Sequence, residues 1–204
     1  MARLQVTDQA ITVAGMPLPP AAFTGLVTRH PKGIERALVL EEAARHLFAA
    51  NFSAQRLRRF IRDVCEWGGY PGTARRVLQG NPFPEIRRRF TRAIAALTPD
   101  EPNIQSALLE ISRVRHLGLS FASKHLRLLR PDVCPVLDSV LSEKLGYALS
   151  APGYQRFSDD CLEVAAVLHR HGVSNPVGRD EGAWFAADVE MALFVYVKEQ
   201  AALL

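Results

Sequence analysis

The sequence predicts an all-α protein with a small β segment at its N-terminus. Three observations carry that expectation. From about residue 21 onward, apolar residues recur at three- and four-residue spacing. The connections between these stretches are short and marked by Gly, Pro or Asn. Strand-like sequence is confined to residues 3–19, in LQVTD and AITVAG, closed by Pro17, Pro19 and Pro20. A chain of 204 residues that is 48% hydrophobic can bury one sizeable core, or two small lobes sharing a cleft. The organisation expected is one two-lobed unit: a β arm over 1–20, helical segments over 21–100 and 101–150 with a hairpin at 113–130, and C-terminal helices over 151–204.

In order, Ile34 to Ala50 places Leu38, Val39, Leu47 and Phe48 on a helical stripe. Ser53 is positioned to cap SAQRLRRFIRDVCEW, with Leu57, Phe60, Ile61 and Val64 inward and Arg56, Arg58, Arg59 and Arg62 outward. Gly68-Gly69-Tyr70-Pro71-Gly72 predicts a turn, followed by a short helix over Thr73–Gln79. Asn81-Pro82-Phe83-Pro84 opens PEIRRRFTRAIAAL. Thr98-Pro99-Asp100-Glu101-Pro102 is either a boundary between lobes or a helix connection. Asn103 can cap IQSALLEISRVRH. Beyond Asp138 come SVLSEKLG, a long helix from about Tyr154 to His171 ended by Gly172, and a last helix spanning AWFAADVEMALFVYVKEQ.

Charge is uneven. Residues 29–92 hold fourteen Lys/Arg against six Asp/Glu, and residues 113–130 hold five basic residues and no acid. From Ala151 onward eight acids face four basic residues. Basic segments ahead of an acidic tail suit one positive face and a polyanionic partner. Cys65, Cys134 and Cys161 are odd in number and far apart, as expected of reduced cytosolic thiols. No C-x-x-C pair supplies a zinc or iron–sulfur ligand set, so no metal or cofactor is expected. No apolar run reaches the roughly 18 residues of a membrane span, and no signal-like layout opens the chain. The expected setting is cytoplasmic, with no membrane partner.

The most informative stretch is Arg113 to Leu145. It reads as a helix, a tight turn at Leu117-Gly118, a second basic helix, a Pro-bounded loop, and Asp138 at the mouth of a third helix. A turn whose N–H groups face outward among basic residues can seat on phosphates. A carboxylate at a helix N-terminus is favoured as the anion by the aligned peptide dipoles. A phosphate grip followed by a fixed anion is what breaking a nucleoside's C1′–N bond requires. The sugar becomes cationic, and the attacking water needs a base.

The run GLSFASKHLR (Gly118 to Arg127), followed eleven residues later by Asp138 in PVLD, resembles the helix-hairpin-helix DNA glycosylases, most closely the 8-oxoguanine DNA glycosylases of compact prokaryotic type. In that family an h-G-h-G hairpin is followed by a lysine two residues after the second glycine, and a [VI]-[PI]-x-D segment carries the essential aspartate. Gly118 matches the second glycine, and Asp138 follows Pro135-Val136-Leu137. The first glycine position is His116, and the lysine position is Ser120. The resemblance covers about thirty residues. It implies two helical lobes about a cleft and a monomer acting on double-stranded DNA. It further implies that Asp138 stabilises an oxocarbenium-like sugar and activates water.

Ser120 in place of the family lysine implies a monofunctional enzyme, because a hydroxyl forms no imine. Taken alone, Ser120 reads as a helix cap. Lys124, one turn later on the same face, is either a displaced amine reaching the cleft or a phosphate or solvent lysine. His116, Leu117, Gly118 and Leu119 form the hairpin, flanked by Arg113, Arg115 and Arg127 as DNA contacts. Trp184, Phe185 and Asp188 of the last helix, with Phe121 and Trp67, are candidates for the base pocket. The EWGGYPG turn is a candidate duplex-probing wedge. The default substrate by resemblance is an 8-oxoguanine-like base. Alternatives are bulky modified bases of foreign or phage DNA, a noncatalytic DNA-binding module, and a helical scaffold or toxin–antitoxin partner without nucleic acid.

Overall fold

The structure, a computed structural model, describes residues 4–7, 10–98 and 100–201. Pro99 of the expected boundary, and residues 1–3, 8–9 and 202–204 of the outer segments, lie outside the described residues. The protein is mainly α, with one three-stranded antiparallel sheet at its N-terminus. Strands β1 (Leu4–Val6), β2 (Ile11–Val13) and β3 (Met16–Leu18) form a meander. Val13 pairs with Met16 across Ala14-Gly15, both at positive φ, the two-residue hairpin turn that matches strand twist. Its inward side chains, Leu4, Ile11, Val13 and Leu18, join the main core.

Among the described residues ten α-helices follow. They are α1 (Ala22–Thr28), α2 (Ile34–Ala49), α3 (Ala54–Trp67), α4 (Pro71–Gly80), α5 (Phe83–Leu97), α6 (Ile104–Ser112), α7 (Leu119–Leu129), α8 (Ser139–Leu145), α9 (Ala151–Arg170) and α10 (Ala186–Ala201). On α3 the predicted stripe of Leu57, Phe60, Ile61 and Val64 is fully buried. Each such side chain contributes about 1.5–3 kcal/mol. On α2 the stripe departs from expectation at one residue. Leu47 is buried and Leu38 and Phe48 pack against the core, but Val39 is 60% exposed, and Ala37, Leu40 and Ala44 complete the core face. Hydropathy favours Val39 for the stripe, whereas small and apolar residues beside it satisfy the same period. Pro71 and Gly72 belong to α4, because Pro fits the first turn of a helix, so the turn is only Gly68 to Tyr70.

Asn103 caps α6 as expected, its Oδ1 accepting from the Ser106 N–H at 2.9 Å. The segment between α5 and α6 is a helix connection. The two helices pack directly on each other, and Arg89 bridges Glu85 and Glu110 across them at 2.7 and 2.9 Å. The buried apolar residues form a contiguous cluster running from the sheet to α10.

One polar feature runs through that core. Arg127 of α7 is fully buried and donates to Glu41 of α2 at 2.7 Å. Arg179, in the loop before α10, donates to the same carboxylate and to Asp188 of α10 at 2.8 Å. Two cations and two anions thus join α2, α7, α10 and the loop. Arg127 was expected on the DNA-binding rim. It points inward because its face of α7 is the one that meets α2 and α10.

Removing one member of such a network strands a buried charge, at a cost of about 3–5 kcal/mol. Glu41→Ala is expected to lower unfolding free energy by that amount in urea titration, the largest loss among single substitutions on α2.

Candidate active site

The helical hairpin is present as α6, a turn and α7. His116 takes φ +77°, the left-handed conformation for which glycine is the usual choice. Leu117 is buried and anchors the corner, while Arg113, Arg115, His116 and Gly118 are exposed. Gly118 is the residue preceding α7, with φ −66°, and a Cβ built on it would meet nothing within 4 Å. The fold therefore does not require glycine there, and the backbone is open to close approach from outside. No side chain caps the N-terminus of α7. Ser120 is not the cap. It lies inside the first turn, and its Oγ accepts from the Lys124 ammonium at 3.0 Å.

Asn81, which sequence reasoning passed over, braces the turn. Its side chain accepts from the Arg115 N–H at 2.9 Å and donates to the Arg115 carbonyl at 3.0 Å.

Asp138 sits at the head of α8. Its Oδ1 accepts from the N–H groups of Val140 and Leu141, both at 3.1 Å. The loop leading to it is tied down on two sides. Ser123 of α7 exchanges hydrogen bonds with the Leu137 backbone at 3.1 and 3.2 Å. From α9, Tyr154 donates to the Pro135 carbonyl at 2.9 Å and Ser158 donates to the Val133 carbonyl. Its other carboxylate oxygen, Oδ2, lies 3.8 Å from the Lys124 Nζ, an ion-pair separation too long for a hydrogen bond.

Both side chains line a cavity of about 260 Å³. One wall is aromatic: Trp67 with the Lys32 ammonium 4.2 Å over its ring, and Phe121 edge-on to Tyr70 at 6.0 Å. Tyr70, on the Gly-Gly turn, is 66% exposed at the rim. Gly68 completes this wall. A Cβ there would come within 3.0 Å of Phe121 and 3.2 Å of Lys124, so glycine is what lets both side chains lie in the cavity. The opposite wall is one face of α10: Glu190, Phe194 and Lys198, four residues apart. His30 lies beside Phe194, ring centroids 5.6 Å apart.

Asp138, Ser120, Lys124, Phe121 and Trp67 therefore line one cavity, whereas the hairpin turn His116 to Leu119 lies outside its lining and joins it only through α7. Three expected pocket residues lie elsewhere. Trp184 packs edge-on against Phe23 and donates to the Val173 carbonyl at 2.8 Å. Phe185 is covered by the Arg179 guanidinium at 4.6 Å. Asp188 is fully buried in the ion network. The chain turns through a 3₁₀ segment at Asp180–Gly182, and α10 begins only at Ala186, so 184 and 185 precede the helix and anchor it. Glu190 was also missed, although an acid inside AADVEMALFVYV is a visible anomaly.

Burial lowers the Lys124 pKa below the ordinary lysine value, against the opposing pull of Asp138 and Glu190. At 6% exposure it is not a solvent lysine. Lys32 is lowered for the same reason, with Lys124 adding to the effect. Burial, then the Arg127 and Lys32 charges, push His30 down to about 4, leaving a neutral imidazole. Burial pushes Glu190 up to about 7, with Asp138 adding to it and Arg127, Lys124 and Lys32 opposing. A larger groove of about 600 Å³ lies between α2 and α3, but its acids are paired, Glu42 with His46 at 3.1 Å and Asp63 with Arg59 at 3.6 Å. Among the described residues no helix is long and apolar enough to cross a membrane.

Comparison with known protein families, curated proteins and solved structures finds no match to this chain.

The folded-state pKa of Glu190 lies above its unfolded value, so between the two the folded protein binds the extra proton. Stability is therefore expected to fall as pH rises from about 4.5 to about 7. Glu190→Gln is expected to abolish that part of the decline, a relative gain of up to about 3 kcal/mol above pH 7. Denaturant titrations at pH 5 and pH 8 check this.

Proposed function

We propose that this protein is a DNA N-glycosylase that draws a modified base out of duplex DNA and hydrolyses its C1′–N bond. One observation carries the reading: the Asp138 carboxylate, braced by backbone amides, opens onto a cavity that is also lined by α7, the second helix of an exposed helical hairpin. At about 260 Å³ the cavity is just below the roughly 300–1,000 Å³ of pockets that bury drug-sized ligands, a size suited to one base. Trp67 and Phe121 give a flipped base an aromatic lining, with the Lys32 ammonium over the Trp67 ring, and Tyr70 stands exposed where a wedge would fill the vacated stack. The hairpin turn, with Gly118 open to approach and Arg115 exposed beside it, takes the phosphates.

In this reading Asp138 faces the anomeric carbon. Its charge stabilises the oxocarbenium-like sugar and accepts a proton from the attacking water. Asp138→Asn keeps a capping side chain of the same shape while removing the charge. Base release is expected to fall by orders of magnitude, with duplex affinity retained. The check incubates both proteins with duplexes bearing single modified bases, 8-oxoguanine first, and follows free base by mass spectrometry. Equal release by Asp138→Asn sinks the assignment. Salt-dependent binding with no release from any duplex favours a noncatalytic DNA-binding module.

Lys124 supports a second reading of the same site. An amine with a lowered pKa, 3.8 Å from Asp138, has the properties of a Schiff-base nucleophile, although Ser120 occupies the family's lysine position. Borohydride trapping on the cleaved duplex separates the two routes. A covalent adduct lost in Lys124→Gln identifies a lyase, and no adduct identifies direct hydrolysis.

A further inference from the structure

Glu190 is the group in the cavity to which hydrolysis by Asp138 gives no task. It is 4% exposed, and no hydrogen bond or ion pair to it is found among the described residues. A buried acid without a hydrogen-bonded partner is costly, and along its face of α10 Glu190 stands between Ala186 and Phe194. The groups electrostatically coupled to it are Lys124 and Arg127 of α7, Asp138 before α8, Lys32 before α2, and Tyr154 and Cys161 of α9.

Depth orders the two acids of the cavity. The Asp138 side chain is 20% exposed and Glu190 only 4%, so Glu190 is the more deeply buried of the two. A nucleotide whose sugar stands at Asp138 has its base directed inward, between the aromatic wall and Glu190.

We propose that Glu190 is the general acid for the departing base, protonating it as the C1′–N bond breaks. This rests on the glycosylase reading. The bonding pair of C1′–N leaves with the base and takes up the Glu190 proton. Water oxygen forms the new bond to C1′, and its released proton passes to Asp138. The two carboxyl groups then exchange protons with solvent, so water is the sole co-reactant. The division of labour follows from environment. Amide donors and the Lys124 ammonium surround Asp138, whereas desolvation holds the proton on Glu190.

The test measures single-turnover base release between pH 5 and 9, on the duplex that the wild type processes fastest. Wild-type rate is expected to fall above about pH 7, as Glu190 loses its proton. Glu190→Gln is expected to be slower by about 10²–10⁴-fold, with that falling limb gone and duplex affinity unchanged. If Glu190→Gln keeps the wild-type rate, or slows while keeping the limb, the general-acid role is overturned. Loss of release in Asp138→Asn alongside either result leaves the glycosylase reading standing. If the wild type frees no base from any duplex, both fall together. Carbon-detected NMR titration of Glu190 in the wild type gives a reading that needs no variant. A midpoint near 7 is expected, and one in the ordinary carboxylate range overturns the role.

Discussion

The buried ion network of Glu41, Arg127, Arg179 and Asp188 is the constraint on which the site depends. Arg127 lies on α7, one turn beyond the segment carrying Ser120 and Lys124, and Asp188 lies on α10, two residues before Glu190. The same set of charges therefore fixes both walls of the cavity and holds them against α2. A buried network is weak evidence for net stability, since well-packed apolar residues often do as well. What it supplies here is register. Each guanidinium has fixed donors, and sliding α10 against α7 would strand them.

Within the cavity, the arrangement separates groups that would otherwise neutralise one another. Lys124 is close to Asp138 without hydrogen-bonding it, and one of its three N–H donors is engaged by Ser120. Lys32 is held over the Trp67 ring, and His30 is kept neutral by burial and by Arg127. Low dielectric makes every one of these charges stronger in effect and more costly to leave unbalanced. The aromatic wall, the amines and the two carboxyls thus form one electrostatic unit, in which changing any member alters the rest.

Much of this was legible in the residues. The helix-turn-helix at 113–130 and the capping position of Asp138 follow from local rules of spacing, turn chemistry and helix termini, and local rules act at short range. The direction of each side chain follows from which helix arrives on which face, and that is a tertiary outcome. Arg127 looked like one more rim cation because its neighbours are basic, yet α2 and α10 cover its face. Trp184 and Phe185 looked like part of a long final helix because the apolar pattern is unbroken there. The 3₁₀ turn at 180–182 delays the helix and turns them into anchors. Glu190 was the reverse case: its type was visible in the sequence, but its isolation was not.

The brace of Asn81 on the hairpin has a consequence for how the chain tolerates length changes. Asn81 reaches Arg115 only because α4 delivers it at one angle, and the ring of His116 packs within van der Waals reach of Gly80. One residue added to or removed from α4 would rotate its end by about 100°, releasing the corner from its support. Insertions near residues 100–102, away from the Asn81 contact, leave the corner untouched. The chain's indel tolerance is thus set by a side chain thirty-four positions away from the turn it steadies.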